Sequence, residues 1–302
     1  MSERHIHGRT FEVSHRDKVL YPEDGISKGD VIDYYERIAG TMLPYVEGRF
    51  ISMQRFPDGI AEEGFYEKEA PEYFPDWIDT GEVAKESGSN RQVIIDEPAT
   101  LVYLAQQACI TPHIWLSRAA SVRNPDRMVF DFDPSRPWRE AFSDVRRAAR
   151  ALRDLLDEIG LVGYVMTSGS RGLHVHVPIR PEDDFDAVKD LARAIADRLA
   201  ARHPEHLTTA MRKNKRGERI FVDYLRNEYA QTTAAPYALR ARPGAPVATP
   251  LDWDELGASG MGPRRYTLRN LFRRLAQKDD PWHGMGRRAR GLEGPRQALA
   301  DL

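Results

Sequence analysis

Two aspartates, Asp131 and Asp133, interrupt an otherwise apolar stretch, Met128-Val129-Phe130-Asp131-Phe132-Asp133-Pro134-Ser135. The stretch reads as a short buried strand that Pro134 brings to an end. Side chains alternate across a strand, so residues i and i+2 project to one face. Asp131 and Asp133 therefore share a face with Val129, while Phe130 and Phe132 can enter the core from the other. Two carboxylates side by side and short of water repel each other. One of them must take a raised pKa unless a cation sits between them. A divalent metal with oxygen ligands is the natural resolution, and the rest of the chain makes most sense as a frame for this pair.

The sequence after Pro134 supplies that frame. The apolar spacing predicts a helix from about Trp138 to Ile159, with Leu152, Leu155, Leu156 and Ile159 on its later core face and Gly160 as its stop. Leu161 to Thr167 reads as a strand, Ser168-Gly169-Ser170-Arg171-Gly172 as a tight turn, and Leu173 to Ile179 as a second strand that puts His174 and His176 on one face. Such a turn offers close backbone approach, N–H donors and, in Arg171, a cation. It suits a triphosphate, the plain hairpin turn being the alternative. A helix over about Phe185–Ala201 and a basic loop over 208–218 lead to Arg219-Ile220-Phe221-Val222-Asp223-Tyr224, a strand with another aspartate among apolar residues. A buried carboxylate needs a partner, and membership of the same metal site would supply one for Asp223. This order of elements is a mixed α/β unit, compatible with a small antiparallel or mixed sheet backed by helices.

The N-terminal third offers weaker signals. Ser27 is a candidate N-cap with Asp30 at N3, opening a helix to about Ala39. Lys18 and Lys28 flank the preceding loop, and a helix start with two nearby lysines is a ready anion site; ordinary surface lysines are the alternative. Phe50 to Pro57 reads as a strand followed by an Asp58-Gly59 turn. Phe65 and Tyr66 are adjacent aromatics in a polar setting, so in a strand one of them faces away from the core. An exposed aromatic can stack on a base, though packing on a neighbouring element is the commoner use. Strand Arg91–Ile95, helix Pro98–Cys109 and an extended stretch from Thr111 to Ser117 that places His113 complete this part; a lone histidine is more often packed or superficial than catalytic. A helix from Thr267 to Lys278 is expected to close the fold, and a flexible tail to follow Asp279.

Composition excludes several classes. The chain of 302 residues allows one large domain or two ordinary ones. Its one cysteine, Cys109, rules out an intrachain disulfide framework or cysteine zinc site and fits a reducing cytoplasm. Met1 to Lys18 has no apolar leader segment, and no run of about 18 apolar residues is present, so neither a signal peptide nor a membrane span is expected. The formal net charge of −2 argues against a polyanionic partner, but the charge is uneven. Residues 47–100 are acidic; residues 212–242 carry Arg212, Lys213, Lys215, Arg216, Arg219, Arg226, Arg240 and Arg242. A basic zone on a neutral protein can bind polyanions locally, a solvated face being the alternative. There is no P-loop, dinucleotide fingerprint, HExxH or internal repeat.

Phe130-Asp131-Phe132-Asp133-Pro134, then Thr167-Ser168-Gly169-Ser170-Arg171-Gly172-Leu173-His174-Val175, then Phe221-Val222-Asp223-Tyr224, resembles the three motifs of archaeo-eukaryotic primases. The close match is to the polymerase domains of bacterial DNA ligase D, the end-joining repair enzymes. The resemblance runs over about residues 5–285 and takes in Asp17-Lys18-Val19-Leu20-Tyr21-Pro22, Ile110-Thr111-Pro112-His113-Ile114-Trp115 and Asp280-Pro281-Trp282. It implies an α+β primase-polymerase fold, an RRM-like mixed sheet with flanking helices plus an N-terminal α/β subdomain. Residues 1–285 would form one catalytic domain, with an N-terminal subregion to about 120 and the catalytic motifs over about 121–285, and 286–302 an Arg-rich tail.

The resemblance also implies a DNA-dependent nucleotidyltransferase that fills gaps and extends ends in non-homologous end joining. Asp131, Asp133 and Asp223 would hold two divalent ions, manganese preferred and magnesium possible. Ser168, Arg171, His174, Arg216 and Arg240 would reach the incoming nucleoside triphosphate, a ribonucleotide or deoxyribonucleotide, and His113 its sugar. Ribonucleotides are the expected preference. Lys18 and Lys28 would grip a 5′-phosphate at a DNA gap or break, and Phe65 and Tyr66 would lie near the template base. A Ku-like end-binding protein and a separate or fused ATP-dependent DNA ligase are the implied partners, the location is the cytoplasm at the nucleoid, and no membrane is involved. Three positions depart from the pattern: Arg171 stands where a lysine is common, Gln54 where some relatives carry lysine, and Arg226 at a usually polar position after the third aspartate.

Two other classes remain. Asp131-Phe132-Asp133-Pro134-Ser135 also resembles the aspartate-nucleophile signature of haloacid-dehalogenase-type phosphatases, which sits on the first strand of a parallel sheet. A non-catalytic DNA-end-binding module would keep the basic loops without turnover. Metal-dependent nucleotide incorporation against release of inorganic phosphate separates the enzymes.

Overall fold

The protein is described here by a computed structural model covering residues 2–84 and 88–302. The chain divides into two compact units. Unit 1 takes Met1–Trp115, Thr232–Ala248 and Tyr266–Gln277; unit 2 takes Leu116–Gln231, Thr249–Arg265 and Lys278–Leu302. The first segment of unit 1 holds β1 (Ser2–Ile6), β2 (Arg9–Val13), β3 (Val19–Tyr21), β4 (Ile26–Ser27), α1 (Lys28–Val46), β5 (Arg49–Arg55), β6 (Phe65–Glu67), β7 (Thr80–Ala84), β8 (Ser89–Ile95), α2 (Pro98–Gln106) and β9 (Cys109–Trp115). Unit 2 then supplies β10 (Arg127–Pro134), α3 (Trp138–Glu158), β11 (Tyr164–Thr167), β12 (Leu173–Pro178), α4 (Phe185–Arg202), β13 (Leu207–Thr208) and β14 (Ile220–Asp223). Of the remainder, β15 (Thr232–Ala234) and α5 (Leu271–Leu275) return to unit 1, while β16 (Pro250–Leu251) and α6 (Glu293–Ala300) belong to unit 2.

Unit 2 is built on a mixed sheet of order β13-β14-β10-β12-β11-β16, antiparallel throughout except for the parallel β13–β14 edge. The aspartate strand β10 lies inside the sheet. Phe130 and Phe132 are fully buried, while Asp131 and Asp133 on the alternate face stay partly exposed. Helices α3 and α4 pack on the sheet through Val145, Leu152 and Leu156 and through Val188, Ile195 and Leu199, all fully buried. Each such side chain contributes roughly 1.5–3 kcal/mol of burial.

Strand β14 ends at Asp223, which would leave the lower part of β10 without a partner on that side. Asn227 takes over. Its side-chain oxygen accepts the Val129 N–H at 2.8 Å and its amide donates to the Val129 and Tyr224 carbonyls, both at 2.7 Å. A fully buried amide thus imitates a strand just before the carboxylates. Asn227→Ala leaves both Val129 groups without these partners, at about 1–3 kcal/mol per buried group. We expect the variant to lose about 2 kcal/mol or more in urea unfolding.

Unit 1 holds a sheet of order β15-β9-β5-β8-β7, with β6 added against the far end of β5. Helix α1 opens as expected: the Ser27 side chain accepts the Asp30 N–H, and the Asp30 carboxylate accepts the Ser27 N–H at 2.7 Å. It runs on past Ala39 because Met42, Tyr45 and Val46 extend its buried stripe.

Two expectations are corrected. The helix expected over 267–278 shrinks to Leu271–Leu275, because the backbone before it is spent on strand-like pairing: Val247 donates to the Tyr266 carbonyl and Leu268 to that of Ala245. The segment expected as a flexible Arg-rich tail forms α6 and carries buried Trp282, Met285, Leu292 and Leu299. Arg180 N–H bonds the Arg290 carbonyl, and Arg296 pairs with Asp183 at 2.7 Å. The few apolar residues in a charged segment are spaced to anchor it. Among the described residues no helix is long and apolar enough to cross a membrane.

Candidate active site

Register brings the carboxylates together. Asp131 on β10 is the direct partner of Asp223 on β14 and, on the other side, of His174 on β12. Residues opposite each other on antiparallel strands lie about 4.5–5.5 Å apart at Cα and share a face. Asp133 is next on that face, so three carboxylates and a histidine make one cluster. His174 Nε2 lies 3.6 Å from an Asp131 oxygen.

Cations surround the cluster. Arg171 Nη2 meets Asp133 at 2.7 Å, Arg216 stands 3.9 Å from Asp133, and Arg226 lies 3.7 Å from Asp223. They do not neutralise it. Burial, and after it the charge of Asp131, hold Asp133 above the ordinary carboxylate range against Arg171, Arg216 and Lys213. The same two causes raise Asp223 against the Leu225 N–H and Arg226. The residual repulsion is what a hard divalent cation relieves, and an all-oxygen donor set is the chemistry such an ion takes. Among the described residues no three groups stand as a finished metal cage; Asp133 and Asp223 are turned toward arginines and Asp131 toward His174. In donor chemistry and charge the cluster fits the ions the motif implies.

The glycine turn beside it is closed by Ser168. Its Oγ accepts the N–H groups of Ser170 at 3.2 Å and Gly172 at 3.0 Å, and its own N–H donates to the Gly172 carbonyl. Three of the turn's five N–H donors, those of Ser168, Ser170 and Gly172, are therefore spent inside it, which leaves those of Gly169 and Arg171. Gly169 sits at φ +63°, a left-handed conformation that glycine takes without strain. Arg216 lies 3.7 Å above the Phe221 ring and bonds the Ala210 and Met211 carbonyls, which ties the basic loop to β14.

The other expected site residues lie in unit 1. Lys18 and Lys28 are brought together by the β3–β4 hairpin, where Lys28 N–H bonds the Lys18 carbonyl at 2.8 Å. Lys28 is almost buried, and Lys18 pairs with Asp58 at 2.7 Å. Burial first, then Lys18 and Arg55, bring the Lys28 ammonium down to about 8. Phe65 and Tyr66 on β6 are both exposed, at 45% and 57%. The expectation of one outward aromatic understates this, because β6 is a three-residue strand on the sheet's rim. Tyr66 meets His113 edge-on at 5.3 Å, and Arg55 lies 5.7 Å from the Phe65 ring. Arg240 accepts the Tyr21 hydroxyl on its main-chain carbonyl at 3.1 Å.

Asn227 and Arg264 were not singled out by sequence. Arg264 donates to the Ser170 carbonyl of the glycine turn at 2.8 Å. No local pattern marks them, since each acts on a segment far away in the chain. The phosphatase signature is overturned by topology: β10 is flanked on both sides by antiparallel strands, not set in a parallel sheet.

The family described as LigD, primase-polymerase domain, matches residues 27–282. The multifunctional non-homologous end joining protein LigD of Mycolicibacterium smegmatis is 37% identical over 242 residues, 80% of this chain and 32% of that protein. The corresponding Mycobacterium tuberculosis DNA repair protein is 36% identical over 276 residues, 89% of this chain and 36% of that protein. The chain thus spans about a third of the length of these curated relatives. The solved polymerase domain of Mycobacterium tuberculosis ligase D, in complex with DNA, superposes with a TM-score of 0.85 at 34% identity, covering 92% of this chain and 99% of that one.

Proposed function

The chain belongs to the LigD primase-polymerase domain family, and we propose that it is a DNA-dependent nucleotidyltransferase that adds nucleotides, ribonucleotides by preference, at gaps and broken ends in non-homologous end joining. The observation that supports this most directly is the register that sets Asp131 between Asp223 and His174 with Asp133 beside it. Asp131, Asp133 and Asp223 are the residues to hold divalent ions, manganese before magnesium. Bound there, the ions would lower the pKa of the primer 3′-hydroxyl and offset charge on the leaving pyrophosphate.

The remaining roles fall to the chain itself. The Ser168 turn, Arg171, His174 and Arg216 offer donors and positive charge to the triphosphate, with Arg240 a further phosphate contact and His113 a contact to the sugar. Arg171 can serve either Asp133, as it does here, or a phosphate. Phe65 and Tyr66 offer ring faces to the template base. DNA with a 5′-phosphorylated gap or end is the substrate; a Ku-like protein and an ATP-dependent ligase, separate or fused, are the proposed partners.

Primer extension on a gapped duplex with a 5′-phosphate, in manganese, tests this reading. Templated addition with ribonucleotides ahead of deoxynucleotides is the expected result. Gapped DNA held in a 5′-phosphate-dependent way without any addition would instead identify a binding module.

Lys18 and Lys28 are the proposed 5′-phosphate grip, and the Lys28 pKa gives it a pH signature. Below about 8 the ammonium is charged and holds the phosphate; above it the free protein must take up a proton to bind. The preference for a phosphorylated over an unphosphorylated gap should therefore fall as pH rises from 7 to 9. Lys28→Arg should flatten that fall, since a guanidinium stays charged, and Lys18→Ala with Lys28→Ala should erase the preference. A preference that survives the double substitution removes the lysines from this role.

A further inference from the structure

The Ser168–Gly172 turn is braced by a residue outside every motif. Arg264 donates from Nε to the Ser170 carbonyl at 2.8 Å. Its guanidinium stands 5.9 Å from the ring centre of Trp138, the first residue of α3. Trp138 is held in turn: a Cβ at Gly262 would meet the indole at 3.3 Å, and the Arg139 guanidinium lies 4.9 Å from the ring. A peptide unit is planar and trans, so its C=O and N–H point in opposite directions. Fixing the Ser170 carbonyl on the Arg264 side turns the Arg171 N–H to the other side. That N–H is not one of the two that Ser168 Oγ takes up, and the Arg171 side chain reaches Asp133 of the carboxylate cluster.

We propose that Arg264 is a positioning residue for the triphosphate: with its guanidinium beside Trp138, it clamps the Ser170 carbonyl and so presents the Arg171 N–H, with the Arg171 guanidinium, to the nucleotide phosphates. The inference rests on the polymerase reading above. A donor already aimed at an anion needs no reorganisation when the anion arrives. An unclamped peptide can rotate and offer its carbonyl, which repels phosphate. Arg264 itself touches no reacting atom, so its signature is weaker phosphate affinity at nearly constant turnover.

The test pairs two measurements in manganese on the wild type, Arg264→Ala, Arg264→Lys and Trp138→Leu. One is calorimetric binding of inorganic tripolyphosphate; the other is KM and kcat for nucleotide addition on the gapped duplex. Arg264→Ala should weaken tripolyphosphate about tenfold, the scale of one hydrogen bond, and raise the nucleotide KM by the same factor with kcat within about twofold. Arg264→Lys should recover most of the loss, since an ammonium can donate to the same carbonyl. Trp138→Leu should fall between, with affinity for gapped DNA unchanged in all three. Wild-type tripolyphosphate affinity and KM in a folded Arg264→Ala overturn the clamp. Should that variant fail to fold, Trp138→Leu decides: a several-fold loss in both constants supports the clamp, and no change refutes it. A wild type that binds tripolyphosphate in an Arg264-dependent way yet adds no nucleotide keeps the clamp and refutes the polymerase reading.

Discussion

Asp131→Ala should abolish nucleotide addition, by on the order of a thousandfold or more, without costing stability. Asp131 is the one carboxylate paired in register with both Asp223 and His174, so its loss removes the centre of the donor set. It also removes the charge that, after burial, most raises Asp133 and Asp223. The folded state is relieved of repulsion, and melting should stay level or rise, the usual mark of a residue kept for chemistry at a cost to stability. Asp131→Asn, which keeps the shape and drops the charge, should behave alike. The checks are primer extension, thermal melting and binding of the 5′-phosphorylated gap, which should stay within about twofold of wild type. Retained extension sinks the metal-site assignment. Lost extension together with a collapsed melting point would mean that the residue is structural.

Gly172→Ala should strongly destabilise the fold of unit 2. A Cβ at Gly172 would stand 2.0 Å from the Phe132 carbonyl oxygen and 3.2 Å from its carbonyl carbon. Those atoms are backbone of β10 between the two aspartates, and no rotamer change can move them. Either the turn must leave the sheet or β10 must shift, and we expect a loss of about 3 kcal/mol or more in urea unfolding. Any folded remainder should be inactive, because Ser168 and Arg171 move with the turn. Gly169→Ala gives the comparison: it meets a backbone conformation disfavoured for alanine and should cost only about 1 kcal/mol. Equal, small losses for the two glycines would show that the turn yields where the close approach to Phe132 says it cannot.

Much of the site was legible in the chain because its signals are local. Alternation alone puts Asp131 and Asp133 on one face and Phe130 and Phe132 on the other, as observed. Ser27 and Asp30 form the capping box that their spacing announces. What misled was composition. The Arg-rich C-terminal segment reads as a tail, yet Trp282, Leu292 and Leu299 anchor it. The stretch before Leu271 reads as helix, yet its backbone is already committed to residues 245–247.

Periodicity, caps and glycine turns depend on residues a few positions apart, and the sequence by itself determined them: the aspartate strand, the Ser168–Gly172 turn, the starts of α1, α3 and α4 and the three motifs that identify the family. Only the tertiary structure decided that Asp131 faces Asp223 and His174, that Asn227 completes β10 from 98 residues away, and that Arg264 reaches the Ser170 carbonyl across 94. Those pairings are set by which apolar faces bury together and in which register, a choice made by the whole core at once. No segment carries it alone.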